Sequence, residues 1–132
     1  MKTICIDFDG VIHPNMKYLG TSKIIEPPLE GVKDFLIELS KQFKIIIHSA
    51  RCEDSDGKEA IEKYLKKYNI EYKVSENKPH AYIYLDDRGI NFNGDFEKAM
   101  KDIIEFRQWQ EDKKRKIKRL KKLNNRRIPI IN

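Results

Sequence analysis

The sequence predicts an α/β fold, a doubly wound and mainly parallel sheet followed by a long basic C-terminal helix, and three observations carry that expectation. Apolar, β-branched runs recur at residues 2–8, 43–48 and 81–85, each halting at polar or acidic residues as buried strands that end in loops do. Stretches with apolar residues at helical spacing lie between them. Strand and helix therefore alternate, the pattern of parallel strands joined by crossovers and covered on both faces.

Taken in order, the run from Lys2 to Phe8 stops at Asp9-Gly10 and delivers the first acidic cluster to a strand's carboxyl end. Residues 11 to 27 carry Pro14, Gly20 and Pro27, too much punctuation for a long helix, and read as a loop with room for a small hairpin. Pro28 suits a first helical turn, and Leu29, Val32, Phe35, Leu36 and Leu39 recur at helical spacing up to about Gln42. A second strand, 43–48, places Ser49-Ala50-Arg51 at its carboxyl end.

Asp56 followed by Glu59 resembles a capping box, and Ala60, Ile61, Tyr64, Leu65 and Tyr68 give the next helix its apolar stripe. Residues 71–75 read as a short third strand, and Lys78-Pro79 breaks the chain before Ala81 to Leu85, a fourth strand that delivers Asp86 and Asp87. Asn93-Gly94 marks a turn. Asp95 then caps one long helix, with Phe96, Met100, Ile103, Ile104 and Phe106 as its expected core face.

The chain has 132 residues, 39% of them hydrophobic and 13 aromatic, enough for one domain with a real core. The expected division is a core over 1–108 and a basic helical extension over 109–132. No apolar stretch approaches the roughly 20 residues needed to span a bilayer, and the amino terminus lacks a signal-peptide pattern, so the expectation is a cytoplasmic protein without a membrane partner. Cys5 and Cys52 follow no disulfide or zinc spacing. The net charge of +6 is a property of the tail: Lys113 to Arg127 holds ten cations and no acid, leaving residues 1–112 at −4.

Ligands of such sheets bind beyond the carboxyl ends of the strands, where Asp7, Asp9, Ser49, Arg51, Asp86 and Asp87 all fall. Four carboxylates brought together repel one another, and a divalent cation resolves the conflict. All-oxygen ligation favours a hard ion, of which Mg2+ takes one or two carboxylates together with waters and a substrate phosphate. Asp7 is the candidate nucleophile, able to form an aspartyl phosphate, and Asp9 the acid/base beside it. Ser49 and Lys78 are candidate donors to the phosphoryl oxygens, and Gly10 permits close backbone approach.

In order, Asp7-Phe8-Asp9-Gly10-Val11, Ser49 at a strand end, Lys78, and Asp86-Asp87 resemble the four motifs of the haloacid dehalogenase superfamily of phosphohydrolases, over residues 2 to about 100. The resemblance implies a Rossmann-like core, Asp7 as nucleophile and Asp9 as acid/base. It also implies Mg2+ held by Asp7, the main-chain carbonyl of Asp9, and Asp86, with Asp87 either supporting those ligands or joined through a water. Aspartate at both positions of the first motif favours a phosphatase over a dehalogenase. The segment from Asp86 to Asp95 further resembles small bacterial and phage members. The spacings leave no room for the cap insertions of many relatives, so the expected member is capless, with an open site for a nucleotide, sugar phosphate or nucleic-acid end.

Plainer readings stand beside these. Asp7 and Asp9 could instead be a metal-binding or capping pair without turnover, Ser49 a cap of the loop after it, and Lys78 a solvated charge, but the catalytic and phosphate-binding readings are favoured. Arg51 is read either as a phosphate ligand or as the partner of Glu53 or Asp54. His13, in the loop after the nucleophile, is expected in solvent, with contact to the leaving group as the alternative, and His48 and His80 as structural. The cations from Lys113 to Arg127 suit a nucleic-acid contact, whereas Ile117, Leu120 and Leu123 suit a helix packing on the domain or on a second chain. The alternative to a phosphatase is a noncatalytic nucleic-acid-binding or regulatory protein that keeps the fold. A receiver-type signalling domain fits less well, because its phosphorylated Asp stands alone after the third strand.

Overall fold

Isoleucine at alternate positions, Ile4 and Ile6 in one strand and Ile45 and Ile47 in the next, gives the centre of the sheet one continuous apolar face. The computed structural model describes residues 1–127, so the end of the expected 109–132 extension lies outside the described residues. The elements run β1 (Lys2–Asp7), α1 (Val32–Ser40), β2 (Phe43–His48), a 3-10 turn (Ala50–Glu53), α2 (Ser55–Lys67), β3 (Lys73–Val74), β4 (Ile83–Leu85), α3 (Phe96–Glu105) and α4 (Trp109–Arg127). The strands form a parallel sheet in the order β3-β2-β1-β4, with Asp7 beside His48 and Ile6 beside Leu85. All the strands thus end at one rim, and β1 lies between β2 and β4.

The chain divides into two compact units, one from Met1 to Asp87 and the other beginning at Arg88. In the first, Val32 and Leu36 of α1 and Ile61, Tyr64 and Leu65 of α2 pack with Ile4, Ile6, Phe8, Ile45 and Ile47 in one core. Both helices therefore cover the same face. The expected α/β parallel sheet is present, but its second helical layer is not formed by the described residues of this unit. The reason lies in strand order: β1 to β2 and β2 to β3 step in one direction, so two right-handed crossovers put their helices on one side. The return to β4 is made by residues 75–82, which contain no helix.

Several boundaries differ from expectation. Helix α1 starts at Val32, after Gly31 at φ 84°, so Pro28 and Leu29 precede it. Asp54 stands at the start of α2 without a side-chain cap, and Asp56 lies in the first turn, where its charge suits the helix dipole. The outer strands shrink to Lys73–Val74 and Ile83–Leu85. Gly57 is required for close packing: a Cβ there would collide with the Arg51 main-chain carbonyl.

In the second unit Asp95 accepts from the Glu97 and Lys98 amides, as the capping reading expects. The single long helix is instead two, because Phe106 is extended at φ −61° and ψ 136° and the next helix opens at Trp109. Residue 108, the expected end of the core, lies in this break. Phe96, Met100, Ile103, Ile104 and Phe106 are exposed rather than buried, since periodicity reports an amphipathic face and not what covers it. No helix among the described residues is long and apolar enough to cross a membrane.

Gly57→Ala should destabilise the protein by about 1–3 kcal/mol, because backbone must move to admit the methyl group. Urea unfolding monitored by circular dichroism measures this, and an unchanged midpoint contradicts the packing described.

Candidate functional site

Cys5 and Asp7 are two residues apart in β1, so both side chains emerge on the face opposite the core, with Asp7 at the rim. Beyond it the chain doubles back. The Phe8 amide donates to the His48 carbonyl, the Ile12 and His13 amides donate to the Phe8 carbonyl, and the Gly10 amide donates to the His13 carbonyl at 2.7 Å. Gly10 adopts φ 86°, and a Cβ there would strike the Asp87 carboxyl. The fourth-strand acid therefore lies over the loop that follows the first strand.

From that position Asp87 hydrogen-bonds the Asp7 side chain. Burial, then the hydrogen bond and charge of Asp87, then the charges of Asp9 and Asp86, push Asp7 up to about 8. Asp7 therefore keeps its proton at neutral pH. Of the Asp86-Asp87 pair it is Asp87 whose carboxyl meets Asp7, while Asp86 is exposed and acts on Asp7 through its charge.

Asp9 sits in a different environment. Its Oδ2 accepts from Arg51 Nε at 2.6 Å and from Ser49 Oγ at 3.3 Å, and its Oδ1 accepts from Arg51 Nη2 at 3.1 Å and pairs with His13 Nδ1 at 2.9 Å. Burial works to raise its pKa, but the hydrogen bonds from His13 and Arg51 and the guanidinium charge outweigh that and hold it below the ordinary carboxylate value. Asp7 at the end of β1 and Asp9 two residues on are thus driven in opposite directions.

Arg51 is only 3% exposed. Its Nη1 donates to the Gly20 and Thr21 carbonyls at 2.6 and 3.1 Å, and the Tyr18 ring lies 4.9 Å from the guanidinium carbon. The expected partners Glu53 and Asp54 are replaced by Asp9, because the 3-10 turn folds the side chain inward. Ser49 starts that turn by accepting the Arg51 amide at 3.1 Å, so it caps the loop as well as touching Asp9.

His13, expected in solvent, is 1% exposed, stacked on Phe8 and edge-on to Tyr64. Its Nε2 lies 3.7 Å from the Glu26 carboxylate. Sequence reasoning missed it because the loop's return to Asp9 leaves no periodic signature. Lys78 is exposed, 4.7 Å from the Tyr84 ring, on the face that also carries Cys5 and Asp7. His48 Nδ1 pairs with the Ser75 carbonyl at 3.0 Å, a structural role as expected, and His80 is exposed.

The rim thus gathers Asp7, Gly10 and Asp87 in one contact set and Asp9, Ser49 and Arg51 in another. Among the described residues no group of three or more His, Cys, Asp or Glu side chains forms a ready metal cage. Comparison with protein-family models, curated proteins and solved structures returned no match.

With its pKa raised from 3.8 to about 8, Asp7 keeps a proton that the unfolded chain has released, so its contribution to stability falls as pH rises between those values. In buffer free of divalent ions, the gain in melting temperature of Asp7→Asn over wild type should therefore grow from pH 5 to pH 8, as followed by scanning calorimetry. An equal gain at both pH values contradicts the raised pKa of Asp7. Arg51→Met should cost about 3 kcal/mol, and a double-mutant cycle with Asp9→Asn should show coupling on the order of 1–3 kcal/mol in urea unfolding. Additive effects would refute the pairing.

Proposed function

We propose that this chain is a magnesium-dependent phosphohydrolase of the haloacid dehalogenase type, and the observation that carries the reading is the contact between the Asp7 and Asp87 carboxyls at the sheet rim. Two carboxyls from separate strands are held together in a partly buried place where like charge opposes both ionising. That donor set suits a hard divalent cation, which would take the place of the proton. Mg2+ needs only one or two carboxylates and fills its remaining positions with water and phosphate oxygens, so Asp7 and Asp87 would suffice, with Asp86 adding negative potential. Bound there, the ion would neutralise the approach of an anionic nucleophile to an anionic phosphate.

The chain's own groups divide the remaining work. A carboxylate oxygen of Asp7 would attack phosphorus as the bond to the leaving oxygen breaks and that oxygen takes a proton from Asp9, forming an aspartyl phosphate; water would then attack phosphorus, giving its proton back to Asp9 and releasing phosphate from Asp7. Asp9, fixed by His13, Ser49 and Arg51, is the acid/base, and its donors favour the carboxylate form that takes a proton from water. Lys78, exposed on the Asp7 face, is the cation able to reach phosphoryl oxygens. Arg51 has its guanidinium committed to Asp9 and the Gly20 and Thr21 carbonyls, so its part is to hold Asp9 rather than to bind phosphate. Gly10 contributes space, its amide being given to the His13 carbonyl. The substrate class is a phosphomonoester on a nucleotide, sugar phosphate or nucleic-acid end.

A phosphate-release screen over those classes, with and without Mg2+, tests the reading. Turnover should require the ion and fall by about three orders of magnitude or more in Asp7→Asn. Turnover that persists in the variant, or no release from any class, would sink the proposal.

A further inference from the structure

Helix α4 carries a charge pattern that the rim chemistry does not use. At about 100° per residue, Lys114, Arg115, Lys118, Arg119, Lys121, Lys122 and Arg126 fall within an arc of about 160°, spread along about 18 Å of axis. All seven are exposed, and among the described residues none of them is ion-paired. The acids of this helix, Glu111 and Asp112, lie in its first turn, where Glu111 is one turn from Lys114 and Arg115, and no acid follows Asp112 along the helix. Lys114 with Lys118, Arg115 with Arg119, and Lys118 with Lys122 are like-charge pairs at i,i+4 spacing, each of which weakens the isolated helix. A polyanion along the face converts that repulsion into attraction.

The opposite arc narrows the choice of polyanion. It holds Ile117, Leu120 and Leu123, but Lys113 and Lys116 fall between them on the helical projection. An apolar stripe broken by two lysines is poorly suited to lie in the acyl region of a bilayer. Phosphates spaced along a nucleic-acid backbone match a long, exposed row of lysine and arginine and require no apolar counterpart. We infer that α4 is a sequence-independent nucleic-acid-binding face, distinct in chemistry from the carboxylate rim.

The test uses the full chain and fluorescence anisotropy with 20-base-pair duplexes of two unrelated sequences. The slope of log affinity against log salt should be about −4 to −6, from four to seven phosphate contacts, and equal for both duplexes. One variant carries Lys114→Gln, Lys118→Gln, Lys121→Gln and Lys122→Gln. A control loses the same charge at exposed positions elsewhere, through Lys23→Gln, Lys33→Gln, Lys44→Gln and Lys66→Gln. The face variant should lose affinity about a hundredfold and flatten the slope by about 3–4, while the control changes little. Lys→Arg at the same four α4 positions should keep wild-type affinity, which separates loss of charge from loss of helix. Asp7→Asn should bind as wild type does, so failure of the phosphatase reading leaves this one intact. Equal losses in the face and control variants, no duplex binding, or binding to phosphatidylserine vesicles in place of duplex would overturn it.

Discussion

Two carboxyls that would repel one another if both were ionised are held in contact, and the architecture of the first unit depends on how that contact is made. Parallel pairing of β1 with both β2 and β4 brings Asp7 to the same rim as Asp87, and the absence of a side chain at Gly10 opens the space that Asp87 fills. Burial raises the cost of charge at Asp7, and Asp87 raises it further. An arrangement of this kind opposes stability in the bare protein. In the proposed function its relief would be a cation, which would link the electrostatics of the rim to the phosphoryl chemistry proposed for it.

Arg51 is the counterweight. A single buried guanidinium joins Asp9 to the Gly20 and Thr21 carbonyls, so the loop after β1 and the turn after β2 are fastened to the same group. His13 completes the fastening from the other side of Asp9, packed between Phe8 and Tyr64. One acid is thereby kept ionised and oriented while its neighbour two residues away is kept protonated. In the proposed chemistry both states must change: Asp7 must lose its proton to attack, as a bound cation would allow, and Asp9 must take one up to serve as acid.

The parallel sheet was legible because Ile4, Ile6, Ile45 and Ile47 alternate, and because runs that end in Asp7, Ser49 and Asp86 must share a rim if their strands are parallel. Placement along strands follows from local periodicity, and so the convergence of the acids could be read in advance. Contacts made by loops could not. Whether Asp86 or Asp87 meets Asp7 depends on the turn after β4, and the pairing of Arg51 with Asp9 spans 42 positions with no periodic link. His13 is buried because residues 8–13 fold back on themselves, which no hydropathy pattern announces. That α1 and α2 cover the same face of the sheet follows from strand order, which element types alone do not specify. In the second unit, Phe106 interrupts a run whose composition is helical on both sides, and its extended backbone has no local proline or glycine to signal it.

The most direct measurement is the titration of the Asp7 carboxyl carbon by 13C nuclear magnetic resonance, with and without Mg2+. The contact with Asp87 should give Asp7 a midpoint near 8 in the absence of divalent ions and a fall of several pH units when Mg2+ displaces its proton. A midpoint near 4 that Mg2+ leaves unmoved would contradict the carboxyl pair and the cation site together.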